Sequence, residues 1–195
     1  MTLIARLDAV RARRNILEHP FYTRWERGDL TREELAAYAG EYRHAVVALA
    51  AVAVDAGPRG ARPGGARPRL AVGRLCRRAG RRPRPGPTPE TQRCASAWTA
   101  AADPLEALAI LYAIEAGQPD VSETKLRGLV DHYGFEESGA GTAYFRLHAT
   151  QDHEHAAESR ELLERHGTPA DEDRLVAAAE AALDGSWDLL DGVSS

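Results

Sequence analysis

Between Thr31 and Val54 the apolar residues Leu35, Tyr38, Tyr42, Ala45, Val46 and Leu49 recur every three or four positions. That spacing draws one stripe along an α-helix. Thr31 and Glu34 stand ahead of the stripe as a capping box, so a long helix is predicted from there to about Val54. The same period runs through residues 2–18 at Leu3, Leu7, Val10 and Leu17, and "HPFYTRWERGDL" predicts a short helical piece ending at Gly28. In the second half the pattern predicts helices over about Pro89–Ala101, Asp103–Gly117, Ser122–Tyr133, Thr142–His166 and Asp171–Leu190. Asp103, Pro104 and Glu106 supply the start signals of the second of these, and Gly117 with Pro119 its stop. No stretch alternates with period two. The fold class predicted is all-α: an up-and-down helical bundle of about seven helices, one domain over residues 1–195.

The pattern breaks between Ala56 and Pro89. That stretch holds no Asp or Glu, while ten of the chain's 24 arginines and seven of its 11 prolines fall there. It reads as an irregular Arg/Pro/Gly-rich segment, at face value a disordered basic linker.

Composition narrows the function classes. The chain is rich in Ala and Leu, and its net charge of −4 gives no reason to expect nucleic-acid binding. Cys76 and Cys94 lack zinc-ligand spacing, and the amphipathic N-terminus has no secretory h-region, so a cytoplasmic protein with free thiols is expected. No run of about 18 apolar residues predicts a membrane span. Lys125 is the one lysine; every other side-chain cation of that kind is arginine.

The candidate chemistry begins at "FRLHATQDHEHAAESRELL". His148, Asp152 and His155 stand at i, i+4 and i+7, within about 60° around a helix, so two imidazoles and a carboxylate can face one metal. The alternative is the charged, solvated face of a surface helix. Glu115 bears on the choice. It lies on the stripe of Leu108 and Tyr112 in the last turn of its helix, where the helix dipole opposes an anion. A carboxylate projecting inward there needs a cation. Glu41 and His44, spaced i, i+3, resemble the Glu-x-x-His device of di-metal bundles or line a pocket.

"HPFYTRW" with "GDLTREELAAYAGEYRHAV", "ADPLEALAILYAIEAGQPDVSETKLRGLVDHYGF" and "YFRLHATQDHEH" together resemble the heme-oxygenase-like superfamily. The likeness is to its TenA/PqqC branch and, within it, to the CADD-type di-iron oxidases. It extends over nearly all the chain except residues 56–89. The resemblance implies an O2-using oxidoreductase with Glu115, His148, Asp152 and His155 as ligands of a dinuclear iron or mixed iron–manganese centre. It also implies folate chemistry, with p-aminobenzoate formed from an internal tyrosine and a lysine amine. Tyr22 and Lys125 match those positions, and Tyr144 is a second redox candidate. A small-molecule substrate or self-derived tyrosine, O2 and a homodimer are the implied partners. Two alternatives stay open: a PqqC-like oxidase that uses no metal, and an inactive helical scaffold.

The scaffold alternative arises from one departure. CADD-type proteins carry a further Glu and His, spaced E-x6-H, where this chain has its Arg/Pro/Gly tract. With GC-rich codons, reading "GGARPRLAVGRL" from each codon's second base permits Glu-Glu-His-Ala-His-Val-Leu-Leu-Trp-Asp-Ala-Phe. Arg59–Gly60 then permits Glu and Ala66–Arg67 permits His, seven positions apart. Residues of about 56–87 are therefore read as translated in a shifted frame, against the alternative of a genuine basic linker.

Overall fold

The computed structural model describes residues 1–56 and 86–194, with side chains for all of these except residues 50–56 and 150–152. Arg59, Ala66 and Cys76 lie outside the described residues, as does nearly all of the predicted irregular segment. Among the described residues there are eight α-helices, one 3-10 turn and no strand. They are α1 (Leu3–Arg13), the 3-10 turn (Ile16–Glu18), α2 (Pro20–Arg27), α3 (Arg32–Ala56) and α4 (Pro89–Trp98). They continue with α5 (Pro104–Glu115), α6 (Gln118–Asp131), α7 (Ala143–His166) and α8 (Glu172–Ser194).

Local chemistry sets most boundaries. The His19 ring accepts the Phe21 N–H at 3.0 Å, Pro20 follows it, and Gly28 closes α2 in the left-handed region at φ 74°. The Thr31–Glu34 box forms as expected: Glu34 N–H donates to Thr31 Oγ1 at 3.2 Å, and Thr31 N–H donates to Glu34 at 2.7 Å. Asp103 caps α5 by accepting the Glu106 N–H at 3.0 Å. Two boundaries differ from expectation. The first helix stops at Arg13 rather than near residue 18, because extended Asn15 takes the Leu17 N–H on its side chain and starts the 3-10 turn. α6 starts at Gln118, before the predicted Ser122, because Pro119 sits in its first turn, where a missing N–H costs nothing.

The helices bury two contiguous cores. One joins α1 to α5, α7 and α8 through Leu7, Val10, Ala109, Leu163 and Ala179. The other is aromatic and gathers Phe21, Tyr22, Trp25, Tyr38, Tyr42, Tyr144 and Phe145 from α2, α3 and α7. α4 lies against α8, and the Trp98 indole N–H donates to the Ala182 carbonyl at 3.0 Å. Across the gap between α3 and α4, Glu41 is buried (5% exposed) and accepts the Thr88 N–H at 2.9 Å. Among the described residues no helix is long and apolar enough to cross a membrane.

Candidate functional site

Lys125 projects from α6 into the aromatic core, 1% exposed. Its ammonium lies 3.8 Å from the centroid of the Tyr42 ring and 5.4 Å from the rings of Tyr38 and Phe145. Desolvated cation–π contacts of this kind are worth about 2 kcal/mol, a partial replacement for lost hydration. The rings come from α3 and α7, so three helices converge on one amine.

Tyr22 enters the same chamber from α2. Its hydroxyl stands 3.0 Å from that of Tyr38, and both phenols are buried. Burial pushes both up from the ordinary phenol range, so both keep their protons at neutral pH. Tyr38 also stacks on Tyr42 at 5.4 Å with a 17° interplanar angle. Tyr22 and Lys125, 103 positions apart in the chain, thus both touch Tyr38.

On α7, Tyr144 is buried and His148 half-buried, their rings 4.2 Å apart. Glu115, the last residue of α5, is half-buried, whereas His155 is exposed. Asp152 belongs to the helical run of α7, and its side chain lies outside the described ones. Among the described residues no three His, Cys, Asp or Glu side chains gather as a metal-binding group. The donor chemistry nevertheless suits iron: imidazole at His148, packed on buried Tyr144, and carboxylate at half-buried Glu115 are hard-to-borderline ligands.

Glu41 and His44 sit on α3. The Glu41 carboxylate takes up the Thr88 N–H, which accounts for its burial. Burial first, and then the Arg43 cation, lower the His44 pKa, against a raising effect of Glu41. Sequence reasoning did not single out Tyr38, Tyr42 and Phe145 as site residues. Their signal was present: Tyr38 and Tyr42 are i, i+4 on the inward stripe of α3, and a buried lysine needs such partners.

Comparison with known proteins agrees with the helical fold. A solved Shewanella denitrificans domain of unknown function with a heme oxygenase-like fold superposes with a TM-score of 0.65 at 18% identity. It covers 98% of this chain and 88% of that one. The 4-aminobenzoate synthase of Chlamydia muridarum is 27% identical over 98% of this chain and 89% of its own length. Its namesake from Nitrosomonas europaea is 26% identical over 98% of this chain and 91% of its own. The family described as iron-containing redox enzyme matches residues 31–187. With the all-helical, heme-oxygenase-like fold, that match identifies this chain as a member of the iron-containing redox enzyme family, and so as an oxidoreductase.

Proposed function

We propose that the protein forms 4-aminobenzoate from its own Tyr22, with Lys125 as the amine source and O2 as oxidant. One observation carries this reading: the chain's one lysine is buried in an aromatic chamber and shares Tyr38 with a buried, hydrogen-bonded tyrosine. An ordinary surface lysine keeps its ammonium in water; this one is held where a primary amine is useful. Glu115 and His148 would hold iron, as a dinuclear or mixed iron–manganese centre, with Asp152 and His155 added by their place in the sequence and not by their setting in the bundle. When bound, iron supplies the electrons that activate O2.

The residues of the chain do the rest. The walls of Tyr42, Tyr38 and Phe145 exclude water and fix the Lys125 amine against one ring face. The Tyr38 hydroxyl shares a hydrogen bond with the Tyr22 phenol and orients it within a buried pair. Tyr144, packed on His148, would pass an electron between α7 and the phenols.

The test is to load the full chain with iron(II) without oxygen, admit O2, and measure 4-aminobenzoate and the intact protein mass. Product is expected with the unmodified chain and none with Lys125→Arg or Tyr22→Phe. His148→Ala is expected to lower the iron retained. Product formation unchanged in both Lys125→Arg and Tyr22→Phe would remove the self-derived reading. The scaffold alternative draws on the absence of Asp and Glu from residues 56–89. It wins if the chain retains no iron and consumes no O2.

A further inference from the structure

Trp25 is fully buried, yet its indole N–H has no hydrogen-bond partner among the described residues. Buried indoles normally find an acceptor, and an unsatisfied one calls for an explanation. Its surroundings give one. The indole nitrogen faces the backbone of Gly128 on α6, so closely that a β-carbon there would fall 2.4 Å from it. On one side the Trp25 ring lies 5.7 Å from the Tyr38 ring, and on the other 5.9 Å from the Tyr133 ring. Tyr38 borders Lys125 and Tyr22, whereas Tyr133 is partly exposed, with its hydroxyl accepting the Leu30 N–H at 3.2 Å. Three oxidisable rings in van der Waals succession therefore run from the chamber to the surface.

We propose that Tyr38, Trp25 and Tyr133 form an exit for oxidising equivalents, carrying a one-electron vacancy out of the chamber to a surface phenol. The proposal rests on the reading that O2 is activated inside the bundle, since the oxidant it serves is a one-electron oxidant formed there from iron(II) and O2. That oxidant takes an electron from Tyr38, whose hydroxyl proton stays within the buried, hydrogen-bonded Tyr22–Tyr38 pair. Trp25 returns an electron to Tyr38, and Tyr133 returns one to Trp25. The Tyr133 phenolic proton passes to water, leaving a neutral phenoxyl. In sum, one electron leaves Tyr133 for the interior and one proton leaves for solvent.

The unpaired indole N–H gives the chain its direction. With no acceptor beside it among the described residues, an oxidised Trp25 has nowhere to shed its proton; it stays a strong oxidant and draws on the next ring. Tyr133 can lose its proton to water, so the vacancy comes to rest there. A soluble thiol can then restore the phenol by giving an electron and a proton, being itself oxidised towards a disulfide. Such an exit spares the chamber when an oxidising equivalent misses its target. Phe21 also touches Tyr38, at 4.8 Å, but phenylalanine is too hard to oxidise to divert it.

The test separates this chain of rings from the iron chemistry. Trp98→Phe and Trp187→Phe leave Trp25 as the remaining one of three tryptophans in the full chain. Flash photo-oxidation of Trp25, with cobalt(III) pentaamminechloride as electron acceptor, is followed by transient absorption. The indole cation signal should decay as a phenoxyl signal grows, and Tyr133→Phe should abolish that growth. Tyr133→Phe removes a single hydroxyl, and circular dichroism checks its fold. If phenoxyl still forms in Tyr133→Phe, or none forms in the parent, the outward leg is wrong, whatever the iron-loaded protein does. In the second arm the iron(II)-loaded chain meets O2, and peptide mass spectrometry should find oxidation at Tyr133, moving to Trp25 and Tyr38 in Tyr133→Phe. Oxidation confined to the chamber in both proteins would overturn the exit while leaving the proposed oxidase intact. A positive flash experiment without O2 consumption would keep the exit and remove the oxidase.

Discussion

Gly128→Ala isolates the contact on which the α2–α6 packing rests. In an open helix the change would stabilise by about 1 kcal/mol, since glycine is the poorer helix former. Here the new methyl falls 2.4 Å from Nε1, 2.5 Å from Cδ1 and 3.2 Å from the carbonyl oxygen of Trp25. The indole cannot step aside: it is 0% exposed and flanked by Phe21, Tyr22, Tyr38 and Tyr133. Overpacking of this kind costs about 1–3 kcal/mol, and two contacts under 3 Å with a rigid ring, with its carbonyl oxygen at 3.2 Å, belong at the upper end. Steric cost therefore outweighs helix propensity, leaving a net loss of about 1–2 kcal/mol. For a domain of this size the loss lowers Tm by about 2–8 °C. Differential scanning calorimetry and urea midpoints measure it directly. Combining Gly128→Ala with Trp25→Phe should cost less than the sum of the two, with a coupling of about 0.5–3 kcal/mol. An unchanged or higher Tm in Gly128→Ala would show that the two helices are not spaced by this contact.

Two further outcomes are expected. Glu34 is held at a pKa of about 2, below the ordinary 4.5, chiefly by the Arg24 guanidinium and further by the Thr31 N–H and hydroxyl. A depressed carboxyl stabilises the fold above its unfolded value and loses that contribution as pH falls. Glu34→Gln should therefore be less stable at pH 7, with the gap in urea midpoints closing as pH drops from about 4.5 towards 2. Sequencing the coding DNA should reveal a small insertion or deletion near codons 55–58 and a compensating one near codons 83–89, relative to close relatives. The same Arg/Pro/Gly tract read in frame among those relatives would make it a genuine linker.

Helix positions were legible wherever the determinants are local. The Thr31–Glu34 box, the Asp103 cap and the Gly28 stop each involve residues a few positions apart, and each forms as its pattern predicts. Pro119 misled because the same residue serves as a stop after one helix and a start in the next. Distance in sequence hid the rest. Nothing near Lys125 announces Tyr42 or Phe145, since those partners arrive from other helices. Nothing near Glu41 announces the Thr88 N–H, which is 47 positions away. On α7, residue spacing fixes angles between side chains but not how the helix is rolled against its neighbours. The buried stripe runs through Tyr144, Phe145, Ala156, Ser159 and Leu163, which leaves His155 towards solvent.

The Glu41–Thr88 hydrogen bond has a consequence for how such chains can vary. Its two residues stand on either side of the tract between α3 and α4, and α3 also packs along α4. The two ends are thus clasped by contacts among the described residues on either side. Closure entropy then grows only with the logarithm of the connecting length, about 0.6 kcal/mol for each doubling. Insertions, deletions or wholesale rewriting of that connection change the ordering cost of the bundle little. A scaffold clasped in this way can lose or regain the chemistry of one segment while the others keep their packing, which leaves that segment open to evolutionary experiment.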